Sequence, residues 1–126
     1  MAELDAVGVI AGDLTKTVDF YRLLGGELTF EADGHVEISY ASGVRLMVDS
    51  VAMIESFSSH EPAQGGRNVG LAFLCGSPSE VDELHAAVVA AGHRSRVEPF
   101  DAPWGQRYAT VLDPEENPVD LFAALG

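Results

Sequence analysis

Apolar residues in this chain alternate with polar ones over short stretches, then switch to a spacing of three and four, and the whole pattern runs twice. "VGVI" begins at position 7 and "VGLA" at position 69, near half the chain length apart. Each apolar run precedes a segment with helical spacing. In "LTKTVDFYRLLGG" Leu14, Val18, Tyr21 and Leu24 fall on one face, with Asp13 as N-cap and Gly25-Gly26 as the stop. In the second half Ser77 is the N-cap, Pro78 the first helical residue and Glu80 the closing member of a capping box. Val81, Leu84, Val88 and Ala91 are expected to face inward until Gly92 ends that helix.

Three short alternating runs follow each helix. In the first half they are "ELTFE" from 27, "HVEISYA" from 35 and "VRLMVDS" from 44; in the second, "SRVEPF" from 95, "GQRYATVL" from 105 and "PVDLFA" from 118. "ADG", "SG" and "DPEEN" supply turns between them. The order is therefore β-α-β-β-β twice. It predicts an α+β fold of two tandem βαβββ modules, roughly 3–50 and 67–125, in one domain over 1–126. The linker, 51–66, is expected to start as a short helix and end as a loop. Two such modules are expected to form a concave, cup-like mixed sheet with helices outside.

Composition narrows the function. With 126 residues the chain can build one real core. Its apolar runs are too short to span a bilayer, and its acidic N-terminus does not read as a signal peptide. The single cysteine, Cys75, allows no internal disulfide, so a cytoplasmic setting is expected. A net charge of −13 with seven scattered Lys and Arg excludes a nucleic-acid footprint and mildly favours neutral or cationic ligands.

The segments "GDLTKTVDFYRLLG" and "DPEENPVDLF", with the doubled element order, resemble the vicinal oxygen chelate superfamily of glyoxalases, extradiol dioxygenases and bleomycin-resistance proteins. Within it, "GVRLMVDS" and "PWGQRYATVLDPEENPVDLFA" are most similar to the metal-free drug-binding proteins of the mitomycin and bleomycin type. Glu116 departs from the glycine usual in the family's last turn. A positive φ there would strain a side chain by about 1 kcal/mol and is expected to rearrange the hairpin.

Metal-dependent members of that superfamily place His, Gln or Glu on the first strand of each half, and Glu on the last. The matching positions here are Ala6, Met47, Asn68 and Asp120. Alanine has no donor atom, methionine suits soft ions, and one carboxylate with one amide does not make a set. No metal and no cofactor are expected. The histidines at 35, 60, 85 and 93 share no ligand spacing and read as surface or partly exposed; Cys75 reads as a small buried apolar residue.

What remains suits a ligand pocket. Trp104, between proline and Gly105, is placed at a strand start where its indole can stack on a flat ring. Gln106, Tyr108 and Thr110 share one strand face; Arg45, Met47 and Asp49 share another, and Asp120 and Phe122 a third. The candidate ligand-binding residues are thus Trp104, Tyr108, Gln106, Thr110, Arg45, Met47, Asp120, Phe122 and Asn68. Asp120 is open to two uses, accepting from a ligand or pairing with Arg45 or Arg107. The resemblance implies a small-molecule ligand, an aromatic or quinone-like antibiotic held by binding alone, in a homodimer with the pocket at or near the subunit interface. A lyase- or isomerase-type enzyme of the same superfamily and a non-catalytic accessory dimer are the alternatives.

Overall fold

The computed structural model describes residues 4–57 and 70–126. The chain divides into two compact units, Met1–Gly65 and Gly66–Gly126. Each holds an open four-stranded mixed sheet backed by a helix, so the tandem βαβββ, α+β architecture read from the pattern is the one found, without a closed barrel.

In the first unit β1 (Ala6–Ala11) leads into α1 (Leu14–Leu23), followed by β2 (Glu27–Ala32), β3 (His35–Ser39), β4 (Arg45–Ser50) and a short α2 (Val51–Phe57). The sheet order is β1-β4-β3-β2, with β1 parallel to β4 and the other pairs antiparallel. Asp13 caps α1 by accepting from the Lys16 N–H at 3.0 Å. After Leu24 the chain turns through Gly25 at φ +95°. Gly26 then passes so close to Ile38 and Tyr40 that a Cβ there would collide with both. Burial falls on alternate strand residues: Val9, Ala11, Val36, Ile38, Leu46 and Val48 form the core with Val18, Phe20 and Tyr21 of α1.

In the second unit β5 (Leu71–Leu74) leads into α3 (Pro78–Ala90), then β6 (Arg94–Ala102), β7 (Gln106–Leu112) and β8 (Pro118–Ala124). Its order, β5-β8-β7-β6, repeats that of the first unit, again with one parallel pair. Ser77 caps α3 by accepting from the Glu80 N–H at 3.2 Å. The Glu80 carboxylate reaches back to the Gly76 N–H at 2.9 Å, one residue beyond the Ser77 N–H that a capping box predicts. Val81 and Val88 are fully buried, but Ala91 is exposed and His85 takes an inward place instead. Only 5% exposed, His85 is not the surface histidine expected; its Nε2 lies 2.8 Å from Ser95 Oγ on β6, which satisfies the ring nitrogen in a dry setting. Cys75 is buried as expected, and burial raises its thiol pKa.

The β7–β8 hairpin keeps its form despite Glu116. That residue holds φ at 64°, so the strain is present, while β7 and β8 stay in unbroken register up to Leu112 and Pro118. Buried Asp113 explains why. One of its oxygens accepts from the N–H groups of Glu115 (2.9 Å) and Asn117 (2.8 Å), and the other from the Asn117 amide (2.8 Å). Several charge-assisted bonds at about 1.5–3 kcal/mol each outweigh one strained backbone position.

The short helix expected at the head of the linker is α2. The remaining linker, with His60 and the Gly65-Gly66 pair, and Asn68 beyond it lie outside the described residues. Among the described residues no helix is long and apolar enough to cross a membrane.

Candidate functional site

Alternation along β7 and β8 sorts their side chains onto two faces. Ala109, Val111, Val119, Leu121 and Ala123 are buried on the α3 side. Arg107 shares that side and binds Asp82 of α3 through Nε at 2.9 Å, with Asp101 at 3.0 Å. The other face carries Gln106, Tyr108, Thr110, Asp120 and Phe122, five of the residues expected at a ligand site.

Register sets the neighbours on this face. Leu74, Phe122, Tyr108 and Phe100 form one row across β5, β8, β7 and β6; Ala72, Asp120, Thr110 and Val97 form the next. Phe100 reaches its row because β6 bulges, setting three steps on β6 (Val97 to Phe100) against two on β7 (Thr110 to Tyr108). Pro99 is tolerated there because β6 is an edge strand. Leu74 is 73% exposed and Phe100 36%, so this row is not a packed core.

Asp120 is held by hydroxyls. Thr110 Oγ1 donates to one carboxylate oxygen at 2.7 Å, and Tyr108 Oη donates to the other. Arg107 pairs with Asp82 and Asp101 on the opposite face, so within this unit Asp120 meets two hydroxyls and not an arginine. Burial, and then Asp120 itself, push the Tyr108 phenol up to about 12, which keeps its proton in place at physiological pH.

Trp104 lies just before β7 and is 59% exposed. Its Nε1 donates to Gln106 Oε1 at 2.9 Å. Its ring stands edge-on to Tyr108 (centroids 5.3 Å apart, planes at 83°) and to Phe100 (6.1 Å, 89°); Phe100 and Tyr108 meet at 6.3 Å and 79°. Three mutually near-perpendicular rings thus form a corner, and edge-to-face contacts of about 0.5–1.5 kcal/mol each fix the indole despite its exposure.

Arg45 and Met47 belong to the first unit, on the β4 face opposite Leu46 and Val48. There Arg45 donates to Glu37 and, at 2.6 Å, to Asp5. His35 lies between Asp49 (Nδ1, 2.5 Å) and Glu37 (Nε2, 2.9 Å). The result is an alternating series, Asp5–Arg45–Glu37–His35–Asp49. Glu37 first, then Asp49, raises the His35 pKa, while His35 lowers that of Glu37 and Arg45 lowers that of Asp5. Sequence reasoning missed Glu37 and treated His35 as bland. The signal was available in "HVEIS", where His35 and Glu37 alternate with buried Val36 and Ile38.

Of the positions at which a metal would be expected, Asn68 lies outside the described residues and the other three offer a single hard donor group, the Asp120 carboxylate. Ala6 has no donor, Met47 is flanked in register by Gly8 and Glu37, and both Asp120 oxygens accept from hydroxyls. Among the described residues no three His, Cys, Asp or Glu are grouped to hold an ion.

Fold and sequence together define the class. The model of the Glyoxalase/Bleomycin resistance protein/Dioxygenase superfamily matches residues 3–121, and the chain belongs to that family. It is similar in structure to a glyoxalase/bleomycin resistance protein/dioxygenase from Nocardioides, at 25% identity and TM-score 0.80 over 99% of this chain and 85% of the other. A family enzyme from Burkholderia phytofirmans PsJN gives 20% identity and TM-score 0.81, covering 98% and 100% of the two chains. A lactoylglutathione lyase from Agrobacterium tumefaciens gives 21% and 0.73, covering 98% and 94%. At such identities the last two establish the fold alone. No curated protein matches the sequence.

Proposed function

We propose that this protein binds a small planar organic molecule, aromatic or quinone-like, and sequesters it in the cytoplasm without a metal and without chemical change. One observation carries the reading: the indole of Trp104 is fixed by Gln106 and by two perpendicular rings, yet remains largely exposed. A rigid flat surface left open is suited to stacking, and it needs no reordering when a ligand arrives. Tyr108, Thr110, Asp120 and Phe122 continue that surface with polar groups beside apolar ones, as small-molecule sites do. Arg45, Met47 and Asn68 stay in the proposal as further contacts. A homodimer, with the ligand at or near its interface, belongs to the same proposal.

Binding alone asks for no poised acid or base. Tyr108 keeps its proton and Asp120 is already engaged by two hydroxyls, which supports binding over proton abstraction. The test is emission of Trp104, the only tryptophan, titrated with planar compounds in the presence of a chelator. Saturable change at micromolar concentration supports the reading. No response from any planar compound, together with an intact fold, overturns it and leaves the rings to contact another protein chain.

A further inference from the structure

The hydrogen-bond polarity of the aromatic corner restricts what can bind there. An indole N–H can only donate, so the Gln106 atom that meets Trp104 Nε1 at 2.9 Å must be the amide oxygen. This fixes the amide's orientation by chemistry and turns its NH₂ group away from the indole. Across the sheet Gln106 is paired with Ala102 on β6 and Ala124 on β8, whose side chains offer no acceptor. Among the described residues nothing accepts from that NH₂.

The other donors on the face are engaged internally. Trp104 Nε1 gives its proton to Gln106, and the Tyr108 and Thr110 hydroxyls give theirs to Asp120. Among the described residues the Gln106 amide therefore supplies an unused donor at the edge of the largely exposed indole. A ring stacked on the indole and reaching past its Nε1 edge meets an N–H, not an acceptor.

We propose that Gln106 determines ligand specificity and that the ligand carries a carbonyl conjugated to its planar ring, accepted by the Gln106 NH₂ while the ring stacks on Trp104. The proposal rests on the planar-ligand reading above and names the chemical class within it. A ligand of equal shape without the acceptor leaves the amide desolvated and unpaired, which is how polar sites reject such analogues.

The probes are 9-fluorenone and fluorene, ring systems of nearly equal size that differ by a C=O against a CH₂. Affinity is measured by equilibrium dialysis. Wild type should prefer fluorenone by about tenfold, the scale of one hydrogen bond kept or lost. Gln106→Glu keeps an acceptor for the indole but faces the ligand with a carboxylate oxygen, so the preference for fluorenone over fluorene should vanish. The double variant Trp104→Phe with Gln106→Met, which keeps a ring but has neither the amide donor nor an indole N–H, should lose the preference as well and covers the case in which Gln106→Glu does not fold. Equal wild-type affinity for the two probes, or a preference that survives in both variants, overturns the inference while planar binding stands. Failure of wild type to bind either probe overturns the inference, and the planar-ligand reading falls with it only when no planar compound perturbs Trp104 emission.

Discussion

Tyr108 donates its phenolic proton to Asp120 across the β7–β8 pair, although its direct register partner is Phe122. The diagonal contact leaves the carboxylate's second oxygen to Thr110, which is 5% exposed. Asp120→Ala strands that buried hydroxyl and frees the phenol. The expected loss is about 1–3 kcal/mol of folding stability, read as a lower urea midpoint at unchanged m. The phenol of this variant should also ionise at lower pH than in wild type, followed by ultraviolet absorbance, because the nearby negative charge is gone. An unmoved midpoint would show that Asp120 does not hold the two hydroxyls.

Trp104→Ala separates binding from folding. The indole is mostly exposed, so its removal should cost no more than about 1–3 kcal/mol, the scale of its two edge contacts with Phe100 and Tyr108. Affinity for planar ligands should fall at least about tenfold, as expected when a stacking anchor of a site is truncated. Equilibrium dialysis and circular dichroism on the same samples check both halves.

His35 gives stability a pH dependence of definite sign. Glu37 and Asp49 favour its protonated form, so its folded pKa stands above the ordinary value of 6.5. The stabilisation is complete below that ordinary value and disappears as pH rises through the folded one. Urea midpoints from about pH 6 to about pH 9 should show wild type losing its advantage over His35→Gln across that window. A difference that stays constant with pH would refute the linkage.

Asp113 governs the hairpin that carries Tyr108, Thr110 and Asp120. Asp113→Ala removes three acceptor contacts from a buried turn and should destabilise by about 2–3 kcal/mol. Glu116→Gly, at a φ of 64°, should be neutral or stabilising by up to about 1 kcal/mol, since the exposed Arg94–Glu116 pair contributes little. Thermal or urea unfolding distinguishes the two directions directly.

Metal removal should change nothing at the site. Dialysis against a chelator is expected to leave affinity for planar ligands within about twofold, because the donor set does not suit an ion. A larger loss, restored by a divalent cation, would return the protein to the metal-dependent branch of its family.

Element order, helix limits and strand faces were all legible in the chain, because each rests on neighbours in sequence. Asp13 and Ser77 cap their helices through N–H groups three residues on, and Gly25 and Gly92 end them by accepting positive φ. A period of two separates Gln106, Tyr108 and Thr110 from Ala109 and Val111 without any knowledge of partners. Pairing was not legible. Whether Asp120 meets two hydroxyls, and whether His35 meets Asp49, depends on the register between paired strands, which periodicity within one strand does not set. A bulge that adds one residue to β6 is what brings Phe100 to Tyr108, and nothing local announces it. His85 likewise looked like a surface residue until Ser95, on the strand beneath its helix, supplied a buried partner. The period of the chain decides which way a side chain points; only the assembled sheets decide which group it finds there, because that choice is made by contacts between strands and helices that the chain brings together on folding.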